Sequence, residues 1–223
     1  MGLDNENAAR LVFDIETAPL PEAAEYLEPV EAPSHYKDPL KIEAYKVEKQ
    51  AEHLERCGLD VDLCRVVAIG LWSEDQPEPT AWTVFSVSEE RDLLIAFWRT
   101  STQRHLVGFN CLNFDLPVLL RRSLYLDVPT PRIGIDRFKH PDVTDLMQEL
   151  SFNGKLTMRS LSFYCKRFGF DVPDHMVGAG IAQAVEEGRW ADIEAHVKAD
   201  VQKTSLLAAK LGHFSRMLAG GAA

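Results

Sequence analysis

The sequence lacks a long apolar run, and no stretch approaches the ~20 residues that a membrane-spanning helix requires. Its first ten residues, MGLDNENAAR, lack the basic and apolar regions of a signal peptide. Cysteine is scarce, and no C-x-x-C pair or zinc-type cluster is present. We therefore expect a cytoplasmic protein without a membrane partner, whose four cysteines are free and buried: Cys57, Cys64, Cys111 and Cys165.

Basic residues are also fewer than acidic ones, which gives a net charge of −10. This argues against a broad basic surface that coats nucleic acid. It leaves room for an acidic pocket that holds divalent cations, because bound ions invert the local charge. With 223 residues, of which 46 % are hydrophobic, the chain can bury a sizeable core.

The order of apolar and amphipathic segments predicts an α/β fold with a mixed sheet flanked by helices. We expect a single domain at residues 10–218, with flexible ends at 1–9 and 219–223. The stretch at about 18–60 interrupts this plan as an insertion, which either flanks the functional site or is a helix laid against the domain edge. Strands are predicted at 11–16, 64–72, 80–87 and 105–110, and helices at 40–56, 86–99, 114–124, 157–170 and 190–214.

The stretch LVFDIETAPL raises the first functional question. Its apolar run predicts a buried strand that ends at Asp14 and Glu16. Residues i and i+2 of a strand face the same side, so the two carboxylates project together and repel each other. A divalent cation would offset this repulsion, because hard ions take carboxylate oxygens as ligands.

Further acids lie in the second half of the chain. Asp115 follows a predicted strand and opens a helix, where its position alone is typical of an N-cap. In the last helix, steps of about 100° place Asp200 on the apolar face, with His196 one turn earlier at its edge. We expect no basic partner for Asp200 on that face, which favours a metal ion. His196 alone would fit a core-edge histidine.

The segments DIE, GFNCLNFDLP and HVKAD resemble, in this order, the three exonuclease motifs of the DEDD superfamily. That superfamily has a ribonuclease H-like fold, and its members remove nucleotides from the 3′ ends of DNA or RNA with two metal ions. The resemblance is strongest to stand-alone exonucleases related to the proofreading domain of B-family DNA polymerases. One branch of the superfamily has Tyr four residues before the last Asp, and the other has His five residues before it. His196 departs from both patterns, because it is a histidine that stands four residues before Asp200.

The resemblance implies a 3′–5′ exonuclease that releases nucleoside 5′-monophosphates from single-stranded DNA ends. It implies two Mg²⁺ ions, with Mn²⁺ as a substitute. The catalytic residues would be Asp14, Glu16, Asp115, His196 and Asp200, and all of these except His196 would be metal ligands. Candidates for substrate contact are Thr17, Asn110 and Phe114, with core packing as the alternative for Phe114.

Several alternatives stay open at the level of sequence. RNA could replace DNA as the substrate, and a polymerase or repair protein could be a partner. A non-catalytic nucleic-acid-binding module of the same fold is disfavoured, since all four acids are present. Lys155 and Arg159 could meet phosphates or be solvated surface charges, and Asp145 could support the site or only cap a helix.

Overall fold

The computed structural model describes residues 9–134 and 140–214. The ends that we expect to be flexible, 1–9 and 219–223, lie outside this part except for Ala9. The strands are β1 Arg10–Pro19, β2 Cys64–Trp72, β3 Thr80–Thr83, β4 His105–Gly108 and β5 Val143–Asp145. The helices are α1 Pro39–Cys57, α2 Val87–Ser101, α3 Asp115–Tyr125, α4 Leu146–Leu150, α5 Leu161–Phe168, α6 Ile181–Glu186 and α7 Trp190–Lys210. None of the helices in the described ranges is long and apolar enough to cross a membrane.

The strands form one five-stranded sheet in the order β3-β2-β1-β4-β5. β1 and β2 are antiparallel, as are β2 and β3, whereas β4 and β5 run parallel to β1. The mixed α/β sheet flanked by helices was predicted, and the structure confirms it. β1 is the central strand, so its side chains pack against the layers on both faces of the sheet.

The prediction that the first strand ends at its two carboxylates is wrong. β1 continues to Pro19 and stays paired with β2, with a shift of register between Glu16 and Thr17. Asp14 and Glu16 therefore lie in the middle of the central strand. The predicted insertion begins while the chain is still part of the sheet.

Alternation along β1 decides which layer each residue meets. Leu11, Phe13 and Ile15 belong to the core on the side of α2 and α3. Val12 belongs to the core that includes Val201 of α7. Because side chains alternate across a strand, Asp14 and Glu16 project to the same side as Val12, towards α7.

Gly70 of β2 allows α7 to approach the sheet. It pairs with Asp14 across the β1–β2 ladder. A Cβ atom there would lie 2.7 Å from Val201 Cγ2 and 2.9 Å from the Val197 carbonyl oxygen. Only glycine permits this close contact, which brings the acidic residues of α7 next to those of β1.

α1 is joined to the rest of the fold mainly through its C-terminal end. Asp38 caps its N-terminus by accepting a hydrogen bond from Leu40 N, and Pro39 is the first helical residue. Cys57, in its last turn, is its buried residue and packs in a small cluster with Leu20 and Ala23. The helix predicted inside the insertion is therefore present.

Candidate active site

Acids from three distant segments meet at the middle of β1. Asp14 and Glu16 lie on β1, Asp115 is the first residue of α3, and Asp200 lies on α7. The backbone N–H of Ile15 donates to Asp115 Oδ1 at 3.3 Å, which connects α3 to β1 between the two strand carboxylates.

The ligand atoms of three side chains lie particularly close together. Glu16, His196 and Asp200 each offer one oxygen or nitrogen, and these atoms lie within 4.8 Å of one another. This trio does not include Asp14 or Asp115, although both carboxylates are near enough to influence the others electrostatically. The five residues that we expected to be catalytic are thus neighbours, in a tight trio and an adjoining pair.

Burial makes ionisation of these acids unfavourable. Burial raises the pKa of Asp14 well above its usual value, and the neighbouring carboxylates of Asp115, Glu16 and Asp200 raise it further. Burial likewise raises the pKa of Glu16 well above its usual value, and the carboxylates of Asp200, Asp115 and Asp174 raise it further. Burial also raises the pKa of Asp115, to about 7, despite two backbone hydrogen bonds that favour the charged form. The metal-free site therefore holds carboxylates that would be stabilised by positive charge.

Asp115 is not the helix cap that its position in the sequence suggests. Phe114 occupies the N-cap position of α3 and makes no side-chain capping bond. The Asp115 side chain is 5 % exposed and turns towards β1. The capping alternative is wrong, because the carboxylate is directed into the acidic site.

Asp174 and Lys203 are part of the site and were missed from the sequence. His196 Nδ1 lies 2.9 Å and 3.0 Å from the two carboxylate oxygens of Asp174, and His196 Nε2 lies 3.6 Å from Glu16 Oε1. Lys203 Nζ donates to Asp200 Oδ1 at 2.7 Å and also to Asp174 Oδ2. The expectation that Asp200 lacks a basic partner is therefore wrong.

Hydrogen bonding outweighs burial at Asp174. Burial alone would raise its pKa, but hydrogen bonds from Lys203 and His196 lower it below the usual value. Asp174 is therefore an ionised acceptor. Because a carboxylate can only accept, the Nδ1 atom of His196 carries the proton, and Nε2 faces Glu16.

Asp145 holds the loop that leads from β4 to α3. Its carboxylate accepts from the backbone N–H groups of Asn110 at 2.9 Å and Leu112 at 3.0 Å. It also caps α4 by accepting from Met147 N and Gln148 N. Asp145 thus does more than cap a helix, because it also fixes the backbone before Asp115.

The candidates for substrate contact occupy different surroundings. Asn110 has a positive φ of 62°, and its side-chain oxygen accepts from Asn113. The Thr17 hydroxyl donates to the Gly58 carbonyl at 2.6 Å, so it fastens the end of α1 to β1. Phe114 packs partly against the core and also lines a cleft, so core packing and substrate contact do not exclude each other.

This cleft opens beside Glu16 and has a volume of about 350 Å³. One wall is the C-terminal part of α1, including Glu52, Glu55 and Arg56. Gly178 and Ala179, just before α6, and Ala182 within α6 also line the cleft. The insertion therefore borders the acidic site.

Comparison with known proteins identifies the family for most of the chain. Residues 59–221 match the model of a family described as a predicted 3′–5′ exonuclease related to the exonuclease domain of PolB. No curated protein matches the chain.

The fold is also similar to part of a solved polymerase. The structure of the family B DNA polymerase from the hyperthermophilic archaeon Pyrobaculum calidifontis superimposes with a TM-score of 0.60 at 18 % identity. The match covers 92 % of this chain but 24 % of the polymerase chain, so the shared part is a fraction of that protein. The likeness shows a ribonuclease H-like fold, and the family match shows that the chain belongs to the predicted 3′–5′ exonucleases related to the exonuclease domain of PolB.

Proposed function

We propose that this exonuclease is metal-dependent and removes nucleoside 5′-monophosphates from the 3′ ends of single-stranded DNA. The observation that carries the proposal is the convergence of Asp14, Glu16, Asp115 and Asp200 from three segments onto one partly buried point. Such an arrangement of carboxylates is unfavourable unless cations are bound there.

The donor set fits magnesium. Mg²⁺ prefers oxygen ligands and uses a few carboxylates together with substrate phosphates. Mn²⁺ accepts the same oxygen ligands. By resemblance to the superfamily, Asp14 would be shared by two ions, Glu16 and Asp200 would hold one, and Asp115 the other. Two such ions would supply Lewis-acid stabilisation of the scissile phosphate and activation of a water molecule.

His196 is oriented to accept a proton at Nε2. Asp174 fixes the imidazole through Nδ1, which leaves Nε2 directed towards Glu16 and the acidic site. An unprotonated Nε2 can accept a proton as a general base. This orientation, held by a carboxylate, supports a catalytic role over that of a core-edge histidine.

The cleft next to Glu16 has an aromatic lining that suits the base of the terminal nucleotide. Phe114 offers an aromatic surface there, and bases of any sequence stack on aromatic rings. Residues of α1, among them Glu52, Glu55 and Arg56, line the same cleft as Phe114. The insertion thus contributes to substrate choice.

A basic segment of the surface would bind the part of the nucleic acid that lies beyond the terminal nucleotide. Between Glu149 and Asp171 the sequence contains no acidic residue but has Lys155, Arg159, Lys166 and Arg167. Phe152 is 66 % exposed, and the Arg159 guanidinium stacks over the 40 % exposed Phe163 ring at 5.2 Å. In a chain with a net charge of −10, this segment combines the positive charge and exposed rings that bind single strands.

A labelled-strand assay tests the proposal. Single-stranded DNA and RNA of the same sequence, each labelled at the 5′ end, are incubated with Mg²⁺, Mn²⁺ or a chelator. We expect a ladder that shortens from the 3′ end of DNA, with monophosphate as the product and no cleavage in chelator. A ladder from RNA alone would replace DNA by RNA as the substrate. Internal cuts, or binding without cleavage, would contradict an exonuclease.

A further inference from the structure

A lysine lies inside a site that is otherwise acidic. Lys203 is 8 % exposed and projects from α7 one turn after Asp200. Its ammonium group donates to Asp200 Oδ1 at 2.7 Å and to Asp174 Oδ2. Asp200 is also one of the carboxylates proposed to hold a cation, so the lysine and the ion need the same group.

The carboxylate of Asp174 is a second hydrogen-bond acceptor for the ammonium group of Lys203. It is joined to His196 on one side and to Lys203 on the other, and it does not belong to the trio of close ligand atoms. An ammonium group that leaves Asp200 therefore keeps one carboxylate partner. The flexible four-carbon stem of lysine permits such a small movement.

The lysine charge also acts beyond its two direct partners. Lys203 lowers the pKa of both Asp14 and Glu16, although burial and the neighbouring acids outweigh this effect. Two hydrogen-bonded carboxylates outweigh burial at Lys203 itself and raise its pKa, so the group is charged. One fixed positive charge thus offsets part of the repulsion among the acids.

We propose that Lys203 is a built-in counter-cation that stabilises the metal-free site and competes with divalent ions for Asp200. Ion binding at Asp200 transfers the ammonium group to Asp174 alone. The lysine consequently weakens the affinity for the ion while it keeps the empty site folded. This inference rests on the proposed function, because it assumes that the acids hold cations.

Calorimetric titration with Mn²⁺ measures this competition without any need for activity. Lys203→Met keeps the aliphatic stem but removes the charge, and we expect Mn²⁺ to bind about tenfold more tightly, since a unit charge a few ångströms from the ion is lost. Lys203→Arg keeps the charge and should bind as the wild type does. Lys198→Met is the matched control, because Lys198 lies on the same helix but is 38 % exposed and pairs with Glu194.

The metal-free melting temperature supplies a second readout. It should fall in Lys203→Met and stay nearly constant in Lys198→Met, because only the first variant exposes the site acids to their full repulsion. Equal or weaker Mn²⁺ affinity in a folded Lys203→Met variant would overturn the inference and leave the proposed metal site intact. A wild-type protein that binds no Mn²⁺ would overturn both.

The wild type alone provides a test if Lys203→Met does not fold. The ¹⁵N and ¹H resonances of the Lys203 ammonium group report its hydrogen bonds. We expect them to shift, with faster proton exchange, as Mg²⁺ is added and the bond to Asp200 is lost. Resonances that stay unchanged when Mg²⁺ saturates the protein would overturn the competition.

Discussion

At the scale of single residues, the site is arranged against the stability of the metal-free protein. Asp14, Glu16 and Asp115 all have raised pKa values, so the folded chain holds their protons more tightly than the unfolded chain does. For such groups, stability is greatest at low pH and falls as the pH rises through the shifted range. Residues that lower the stability of a natural protein in this way generally serve its function.

Asp115 offers a measurable case, because its pKa rises from 3.8 to about 7. Between these values the folded state binds more protons, so the free energy of unfolding decreases as the pH increases. Asp115→Asn removes this dependence. In chelator, we expect the variant to match the wild type near pH 4 and to become progressively more stable up to pH 7, with an upper limit of about 1.4 kcal/mol for each unit of pKa shift.

Urea unfolding from pH 4 to pH 8 gives this difference directly. Glu43→Gln is the control, because Glu43 lies on the exposed side of α1. The control should follow the wild type at every pH. A constant difference between Asp115→Asn and the wild type across the range would contradict the buried, shifted carboxyl group.

Sequence patterns predicted most, but not all, of the residues at the site. Asp14 and Glu16 follow from strand alternation, and Asp200 follows from the helix period. Lys203 was missed although it stands three residues after Asp200, a spacing that commonly pairs charges on a helix. Asp174 could not be found this way, because it lies in irregular backbone 22 residues before His196 and no period connects them.

At the scale of helices and strands, the position of α7 against β2 determines where Asp200 and His196 stand. Gly70 permits this approach, because a Cβ would meet the Val197 carbonyl at 2.9 Å. Backbone atoms cannot move aside as the end of a side chain can. Gly70→Ala should therefore shift α7 and lower stability by about 1–3 kcal/mol, the usual effect of overpacking.

The thermal midpoint of the metal-free protein checks this prediction. Gly180→Ala is a suitable comparison, because Gly180 has an ordinary φ of −88° and its nearest atom to an added Cβ is 3.9 Å away. We expect Gly70→Ala to melt several degrees lower and to cleave more slowly, and Gly180→Ala to melt like the wild type. Equal midpoints for both variants would show that α7 can adjust without loss.

The longer elements were predictable, whereas some of the short ones were not. The periodic segments that became α1, α2, α3 and α7 were recognised, and Gly169 ends α5 in the left-handed conformation with φ 72°. β5 has three residues and α6 has six, too few for a clear period. The end of β1 was misplaced because the chain remains paired with β2 beyond its polar residues.

At the scale of the whole molecule, the chain combines an acidic site at the middle of β1 with a separate basic segment in its sequence. The acidic site and the cleft beside α1 lie together, and the basic segment between Glu149 and Asp171 continues along the chain towards α7. A net charge of −10 is compatible with the binding of nucleic acid when bound cations and a local basic surface contact its phosphates. The family match assigns the chain to the predicted 3′–5′ exonucleases related to the exonuclease domain of PolB.

The central claim is that the acids on β1 are placed for catalysis by bound cations and not for stability. Asp14→Asn tests it better than a change at Asp200, because Asp200 also pairs with Lys203. The decisive measurement is the cleavage rate of 5′-labelled single strands by Asp14→Asn at saturating Mg²⁺, with the metal-free melting temperature showing that the variant is folded.

We predict a rate lowered by more than about a hundredfold, beyond the effect typical of residues that only support a metal ligand. The metal-free melting temperature should rise at the same time, because one repelling carboxylate has been removed. A folded Asp14→Asn protein that cleaves at the wild-type rate would contradict the account.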